Sequence, residues 1–236
     1  MVVGVLGAME DEVRLVRDAL VDRRDEVVFG AELHRGTLDG HDVVLARSGI
    51  GKVNAALTTA ALVVAGVDAV LFTGVAGGAA PGVRVGDVVV ATDLVQHDID
   101  VTALGHQPGE LLGQPLAWAC DTRLFAVADA ASRQAVGDAS VHAGRIASGD
   151  QFIASEADVE RLHRQFGCLA VEMEGAAVAQ ACVRLGLQFV VVRSISDEAG
   201  SSAHVDFPAF LTMAAPRGLT LVRAFLAGLT SNRAAS

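Results

Sequence analysis

Short, nearly unbroken apolar runs alternate along this chain with longer stretches whose apolar residues recur at helical spacing, and several of the runs end in glycine. Continuous runs suit strands covered on both faces, and their alternation with helices is the pattern of an α/β fold. Val2 to Leu6 predicts a first strand. A helix from about Met9 to Leu20 follows and opens on Glu10, Asp11 and Glu12, where negative charge meets the positive end of the helix dipole. Glu32 to Thr37 and Asp42 to Ser48 flank Leu38-Asp39-Gly40-His41, and Asp-Gly between two strands predicts a hairpin. Further strands are predicted at Ala69 to Thr73, Val85 to Val95, Arg145 to Ser148, Leu169 to Met173 and Phe189 to Ile195. Helices are predicted at about Lys52 to Val64, Asp121 to Arg133, Glu156 to Arg164, Gly175 to Leu185 and Pro208 to Ala227. Asp98 to Pro115, rich in Gly, Pro and polar residues, has no clear period and is the candidate for a long functional loop.

Composition narrows this picture. No linker-like stretch divides the 236 residues, so residues 1–236 are expected to form one domain. A formal net charge of −10 without a basic cluster argues against nucleic acid or an anionic membrane as partner, and favours a small molecule. Cys120, Cys168 and Cys182 have no metal or redox spacing and read as buried small hydrophobes in a reducing compartment. The apolar start meets acidic residues at once and has no basic leader, and no uncharged apolar run reaches the ~18–20 residues of a membrane helix. A cytoplasmic location is expected.

Candidate chemistry concentrates in carboxylates at strand ends. Glu12 follows the first strand and is either a solvated helix-start charge or a general base beside a bound water. Asp197 closes Val190-Val191-Val192-Arg193-Ser194-Ile195-Ser196-Asp197 as either a turn or cap residue or an acid in a partly desolvated cleft. In Ala170-Val171-Glu172-Met173-Glu174-Gly175, strand periodicity places Glu172 and Glu174 on one side if the strand continues that far. Two such charges cannot both be deep and ionised without partners. They read as helix-start charges, as an anchor for a vicinal diol such as ribose, or as a glycosidase pair. Gly49-Ile50-Gly51-Lys52 lacks the spacing of a phosphate loop, with Val53 where Ser or Thr is needed for magnesium. Gly74-Val75-Ala76-Gly77-Gly78 leaves a strand end and is either a turn or a close-approach surface for a flat ligand. His97-Asp98-Ile99-Asp100 and His204-Val205-Asp206 have no recognised ligand spacing, so neither a metal nor another cofactor is expected.

Taken in order, Gly4 to Glu12 (GVLGAMEDE), Ser48 to Ala55 (SGIGKVNA), Thr73 to Gly78 (TGVAGG), Ser148 to Ile153 (SGDQFI), Ala170 to Glu174 (AVEME) and Arg193 to Asp197 (RSISD) closely resemble the motifs of the 5′-methylthioadenosine/S-adenosylhomocysteine nucleosidases of the purine nucleoside phosphorylase superfamily. The likeness runs from about Val2 to past Phe207. It implies a three-layer α/β/α sandwich with a mixed central sheet, acting as a homodimer on an adenine nucleoside. It also implies that Glu12 activates water and that Asp197, steadied by Ser196, protonates adenine N7. Glu174 would hold the ribose hydroxyls beside Met173, Phe152 would lie on the adenine, the backbone of Ile153 would read its edge, and Gly77 would line the site. Met9, Ile50 and Phe207 would surround the 5′-alkylthio group, with Leu104 of the partner subunit completing the pocket. Glu172 keeps only a structural reading, a charge at the mouth of the following helix. Several relatives carry Ser at the position of Val75, and an aromatic is common at that of Leu104. Some members hydrolyse 6-amino-6-deoxyfutalosine instead. A phosphate-dependent phosphorylase on the same fold needs arginines around its anion, including one at the glycine-rich strand exit, where Gly77 and Gly78 stand here. A binding protein without turnover would lack the acid or the base.

Overall fold

The computed structural model describes residues 1–197 and 203–231, with the backbone alone described for residues 139, 203–215 and 231. Its strands are β1 (Val3–Gly7), β2 (Val21–Val28), β3 (Ala31–Leu38), β4 (His41–Arg47), β5 (Ala69–Gly78), β6 (Val88–Gln96), β7 (Ala117–Ala119), β8 (Val141–Ser148), β9 (Ala170–Glu172) and β10 (Gln188–Asp197). The helices are α1 (Glu10–Ala19), α2 (Lys52–Val64), α3 (Thr122–Val136), α4 (Glu156–Phe166), α5 (Gly175–Leu185) and α6 (Ala203–Ser231). All the strands join one mixed sheet. β1 runs parallel to β4 and β5, and β5 parallel to β10, whereas β2, β3 and β4 are antiparallel neighbours.

The core lies in layers on either side of that sheet. Ala55, Ala61 and Leu62 of α2 and Ala176, Val178, Ala179 and Cys182 of α5 pack with Phe72, Val191 and Ile195 on one face. Val13 and Val16 of α1, Leu124 and Ala128 of α3, and Val222 and Phe225 of α6 pack with Val5, Leu71 and Val190 on the other. Small Ala side chains let α2 and α5 approach the sheet closely, as the Ala- and Val-rich composition requires. The expected three layers with a mixed central sheet are present.

The element pattern differs from expectation in a few places. β2 was not expected, because Val21-Asp22-Arg23-Arg24-Asp25-Glu26 is polar on both faces; it is an exposed edge strand, and an edge tolerates charge where a covered strand does not. The short strand β7 within 117–119 pairs with β6 and also carries little periodic signal. β5 runs five residues beyond the expected Thr73 and β10 two beyond Ile195, while β9 stops at Glu172.

The topology around β5 makes the functional cleft. β1 pairs with β5 only as far as Phe72, and β9 joins the same edge only at Gly77. Residues 73–76 therefore face an opening between the two neighbours. On its other edge β5 is paired with β10 down to Gly77. Through β10, β6, β8 and β9 the sheet returns to β5 and closes on itself. The opening lies at the carboxyl ends of parallel strands, where α/β sheets bind ligands.

Candidate active site

Glu12 reaches this opening from the start of α1. Its Oε2 accepts the N–H groups of Ala8 and Met9 at 2.7 and 2.9 Å, and its Oε1 accepts the N–H of Val75 at 3.0 Å. The first two are helix-start donors that need an acceptor; the third is a β5 donor left unpaired where β1 ends. A Cβ on Gly74 would sit 2.6 Å from Glu12 Oε1, so glycine there is what lets the carboxylate lie flat against β5. Burial pushes the carboxyl above its ordinary range, against the pull of Arg193 and of the three N–H groups. Glu12 is thus held in place while staying more basic than a solvated carboxylate.

Asp197 approaches from the end of β10. Between Ile195 and Asp197 the pairing with β5 slips by one residue, the signature of a bulge. In a regular strand Ser196 and Asp197 would face opposite sides; with the bulge both line the cleft. Ser196 Oγ donates to Asp197 Oδ2 at 2.8 Å, and Asp197 is buried.

Glu172 and Glu174 part company because β9 ends at Glu172. Glu174 occupies the cap position of α5 at φ −136°, ψ −38°, and its Oε1 accepts the N–H of Gly51 at 2.8 Å. Burial, reinforced by the charge of Glu172, raises Glu174 to about 7, with the Gly51 N–H opposing. Glu172 is buried in a different setting. Its carboxylate accepts Nη2 of Arg193 at 2.7 Å, the Gly175 N–H at 2.8 Å and the hydroxyl of Ser148. Arg193 is itself 1% exposed and lies 3.9 Å over the ring of Phe72. The helix-start reading of Glu172 holds, with a buried cation added to it.

The remaining walls are mostly apolar. Met9 and Ile50 line one part, Gln151, Phe152 and Ile153 after β8 another, and Val75, Ala76, Gly77 and Met173 the rest, around about 740 Å³ of space partly open to solvent. A largely apolar cleft with a few aimed polar groups is the usual form of a small-molecule site. The cleft brings together Glu12, Asp197, Gly77, Phe152, Ile153, Met173, Glu174, Ser196, Met9 and Ile50, whereas the side chains of Phe207 and of His204 and Asp206 lie outside the described residues. Leu104 stands in a short 3₁₀ turn and is 67% exposed. Lys52 Nζ donates to Gln96 Oε1 at 3.0 Å and to Asp98 Oδ1 at 2.7 Å. Among the described residues no three His, Cys, Asp or Glu side chains converge as a metal site. The sequence reading passed over Arg193 and Ser148. A lone Arg directly after Val190-Val191-Val192 and before Ser194-Ile195 is the available signal, since a cation in a covered strand demands a carboxylate partner.

The chain is similar to known proteins over nearly its whole length. The model of the phosphorylase superfamily matches residues 2–227, and the chain belongs to that superfamily. A 5′-methylthioadenosine/S-adenosylhomocysteine nucleosidase of Anoxybacillus flavithermus is 44% identical over 94% of this chain and 97% of its own. A solved Streptococcus pneumoniae nucleosidase of that kind, bound to a transition-state inhibitor, is 41% identical with a TM-score of 0.90, covering 97% of this chain and 100% of its own. Within the superfamily the chain therefore falls among the 5′-methylthioadenosine/S-adenosylhomocysteine nucleosidases, enzymes that hydrolyse an N-glycosidic bond. The futalosine hydrolase of Helicobacter pylori is also similar, at 36% identity and a TM-score of 0.90 over 96% of this chain and 97% of its own.

Proposed function

We propose that this protein hydrolyses 5′-methylthioadenosine and S-adenosylhomocysteine to adenine and the 5-thio-ribose, with Glu12 as base and Asp197 as acid. The observation that carries the reading is Glu12 itself, a carboxylate fixed by three neutral N–H donors, raised in basicity by burial, and facing the same cleft as Asp197. Glu12 takes a proton from water as its oxygen bonds to the anomeric carbon. The carbon–nitrogen bond breaks as its electron pair moves into adenine, and Asp197 delivers a proton to N7. Positive charge developing on the sugar is met by the Glu12 and Glu174 carboxylates. Glu174 accepts the ribose hydroxyls, Met173 packs against the sugar, and Ser196 orients Asp197. Phe152, Ile153 and Gly77 hold the base, and Met9 and Ile50 hold the thioalkyl group.

The charge of the cleft favours water over phosphate. Among the described residues, Glu12 and Glu174 line it without a cation of their own, and the one guanidinium nearby, that of Arg193, is bound to Glu172. A phosphate dianion entering there meets like charge. Adenine release from 5′-methylthioadenosine in phosphate-free buffer tests the reading. Strict phosphate dependence would assign a phosphorylase, and tight binding without turnover would assign a sensor. A second reading, hydrolysis of 6-amino-6-deoxyfutalosine, is supported by the likeness to the Helicobacter pylori futalosine hydrolase. The ratio of kcat/KM for the three nucleosides decides between them.

We also infer a homodimer in the cytoplasm. Ile50 just before α2 and Val53, Leu57 and Val64 along it are 50–70% exposed, and Leu104 and Leu112 in the long loop are 67% and 50% exposed. An apolar surface of this kind beside a cleft is suited to a second subunit. Burial raises the thiols of Cys120 and Cys182 to about 12, consistent with unreactive core cysteines.

A further inference from the structure

Lys52, Asp98 and Asp150 have no part in the chemistry above, yet they close a ring of hydrogen bonds beside the cleft. Lys52 Nζ donates to Asp98 Oδ1 at 2.7 Å, the Asp150 N–H donates to Asp98 Oδ2 at 2.9 Å, and the Lys52 N–H donates to Asp150 Oδ1 at 2.8 Å. The three residues come from the start of α2, the segment after β6 and the segment after β8, which local sequence does not link. Lys52 and Asp98 are shielded, their side chains 18% and 14% exposed, so water weakens their attraction less than at an open surface. Burial works against the charge on Asp98, but Lys52 and the Asp150 N–H outweigh it and hold the carboxyl below its usual range.

The start of α2 explains why the ring exists. Its cap is Gly51, without a side chain to accept an amide, and its first turn contains no acid. The first helical N–H groups nevertheless need acceptors. Carboxylates remote in sequence supply them: Glu174 accepts from Gly51, and Asp150 accepts from Lys52. Gly51 adopts φ +97°, and a Cβ there would lie 3.1 Å from Asp150 Oδ1, so both backbone conformation and space call for glycine. Adjacent N–H groups of one backbone thus hold the Glu174 wall and the Phe152 wall of the cleft.

We infer that Lys52, Asp98 and Asp150 are positioning residues that lock these two walls to one another, fixing the Gly51 N–H that orients Glu174 and the Gln151-Phe152-Ile153 segment as a unit. What is positioned rests on the proposed function; the ring itself does not. The function-dependent consequence is that the sugar and base contacts are set together, so loosening the ring weakens substrate binding more than the chemical step.

Full-length Asp150→Ala, Asp150→Asn and Lys52→Met are compared with wild type, by kinetics on 5′-methylthioadenosine and by hydrogen exchange over residues 49–54 and 149–154. Asp150 is exposed, so truncating it opens no core cavity. Asp150→Ala is expected to raise KM about 5–10-fold, the worth of roughly one hydrogen bond, with kcat changed less than about threefold. Exchange should accelerate in both segments together. Asp150→Asn keeps the Oδ1 acceptor and should restore both readouts, whereas Lys52→Met should accelerate exchange in both segments as Asp150→Ala does. Faster exchange in one segment alone, failure of Asn to rescue, or a fall in kcat at unchanged KM would overturn the inference. Absence of wild-type turnover on the nucleosides would defeat the functional reading instead, and the exchange measurements would still decide whether the ring couples the walls.

Discussion

Two carboxylates in this molecule occupy the same kind of place and meet different fates. Glu12 lies at the junction of β1 and α1, Glu172 at the junction of β9 and α5, and both accept N–H groups at a helix start. Every assigned hydrogen bond to Glu12 comes from neutral backbone, while Glu172 is also bound by the Arg193 guanidinium and the Ser148 hydroxyl. Neutral donors fix a carboxylate without satisfying its charge, which leaves it able to take a proton. A buried guanidinium satisfies the charge and turns the same side chain into structure. Position at a strand end therefore does not separate a base from a strut; the charge of the partner does.

Replacing Glu12 by Gln breaks the comparison on the catalytic side. The amide can still accept from some of the same N–H groups, but it cannot take a proton from water. An activity loss of about 10²–10⁴-fold in kcat is expected, with thermal stability near that of wild type. Near-full activity in a folded Glu12→Gln would falsify its assignment as base. Glu172→Gln breaks the other side. It leaves Arg193 buried against a neutral group and presents an amide NH₂ toward N–H and O–H donors. Removing one partner of a buried pair costs about 3–5 kcal/mol, which lowers Tm by roughly 10 °C in a domain of this size. Calorimetry reads this directly. A stability unchanged within about 0.5 kcal/mol would mean that Glu172 is not the charge that Arg193 needs.

The sequence made one side of this comparison legible and hid the other. Strand-length apolar runs located β1, β4 and the beginning of β5, and the acidic start of α1 placed Glu12 beside a strand end, because burial and helix dipoles leave local traces. The resemblance gathered distant segments and anticipated the cleft. The edge strand β2 was hidden because an exposed polar strand has no apolar period. The bulge at Ser196 was hidden because one-residue slippage is a property of two paired strands, and the fork of β5 arises where β1 departs and β9 joins. The Glu172 and Arg193 pair bridges 21 positions, and nothing near either residue names the other. Alternation along an assumed longer β9 gave Glu172 and Glu174 a common side for the wrong reason, since the strand ends between them and a helix cap aims Glu174.

Glu174 stands between the two extremes and sharpens the comparison with the smallest effect on activity. Like Glu12 it is held by a backbone N–H, that of Gly51, and like Glu172 it is buried near Arg193, but it has no guanidinium of its own. Its native pKa is raised to about 7 from the 4.5 of a solvated glutamate. Between those values the native state binds more protons at this site than the unfolded chain does. The stability it contributes is therefore fully present below about pH 4.5, declines as pH rises, and is lost above about 7. Glu174→Gln removes this dependence and keeps an oxygen for the Gly51 N–H. The variant is expected to flatten stability against pH across that window and to exceed wild type by about 1–3 kcal/mol at pH 8. Its activity should fall only about tenfold, because an amide oxygen still accepts one ribose hydroxyl where the carboxylate accepts two. Urea denaturation across the pH series, run beside kcat/KM, separates these effects. An unaltered pH slope in Glu174→Gln would mean that the wild-type carboxylate is already neutralised by a partner, which would place it with Glu172 as structure.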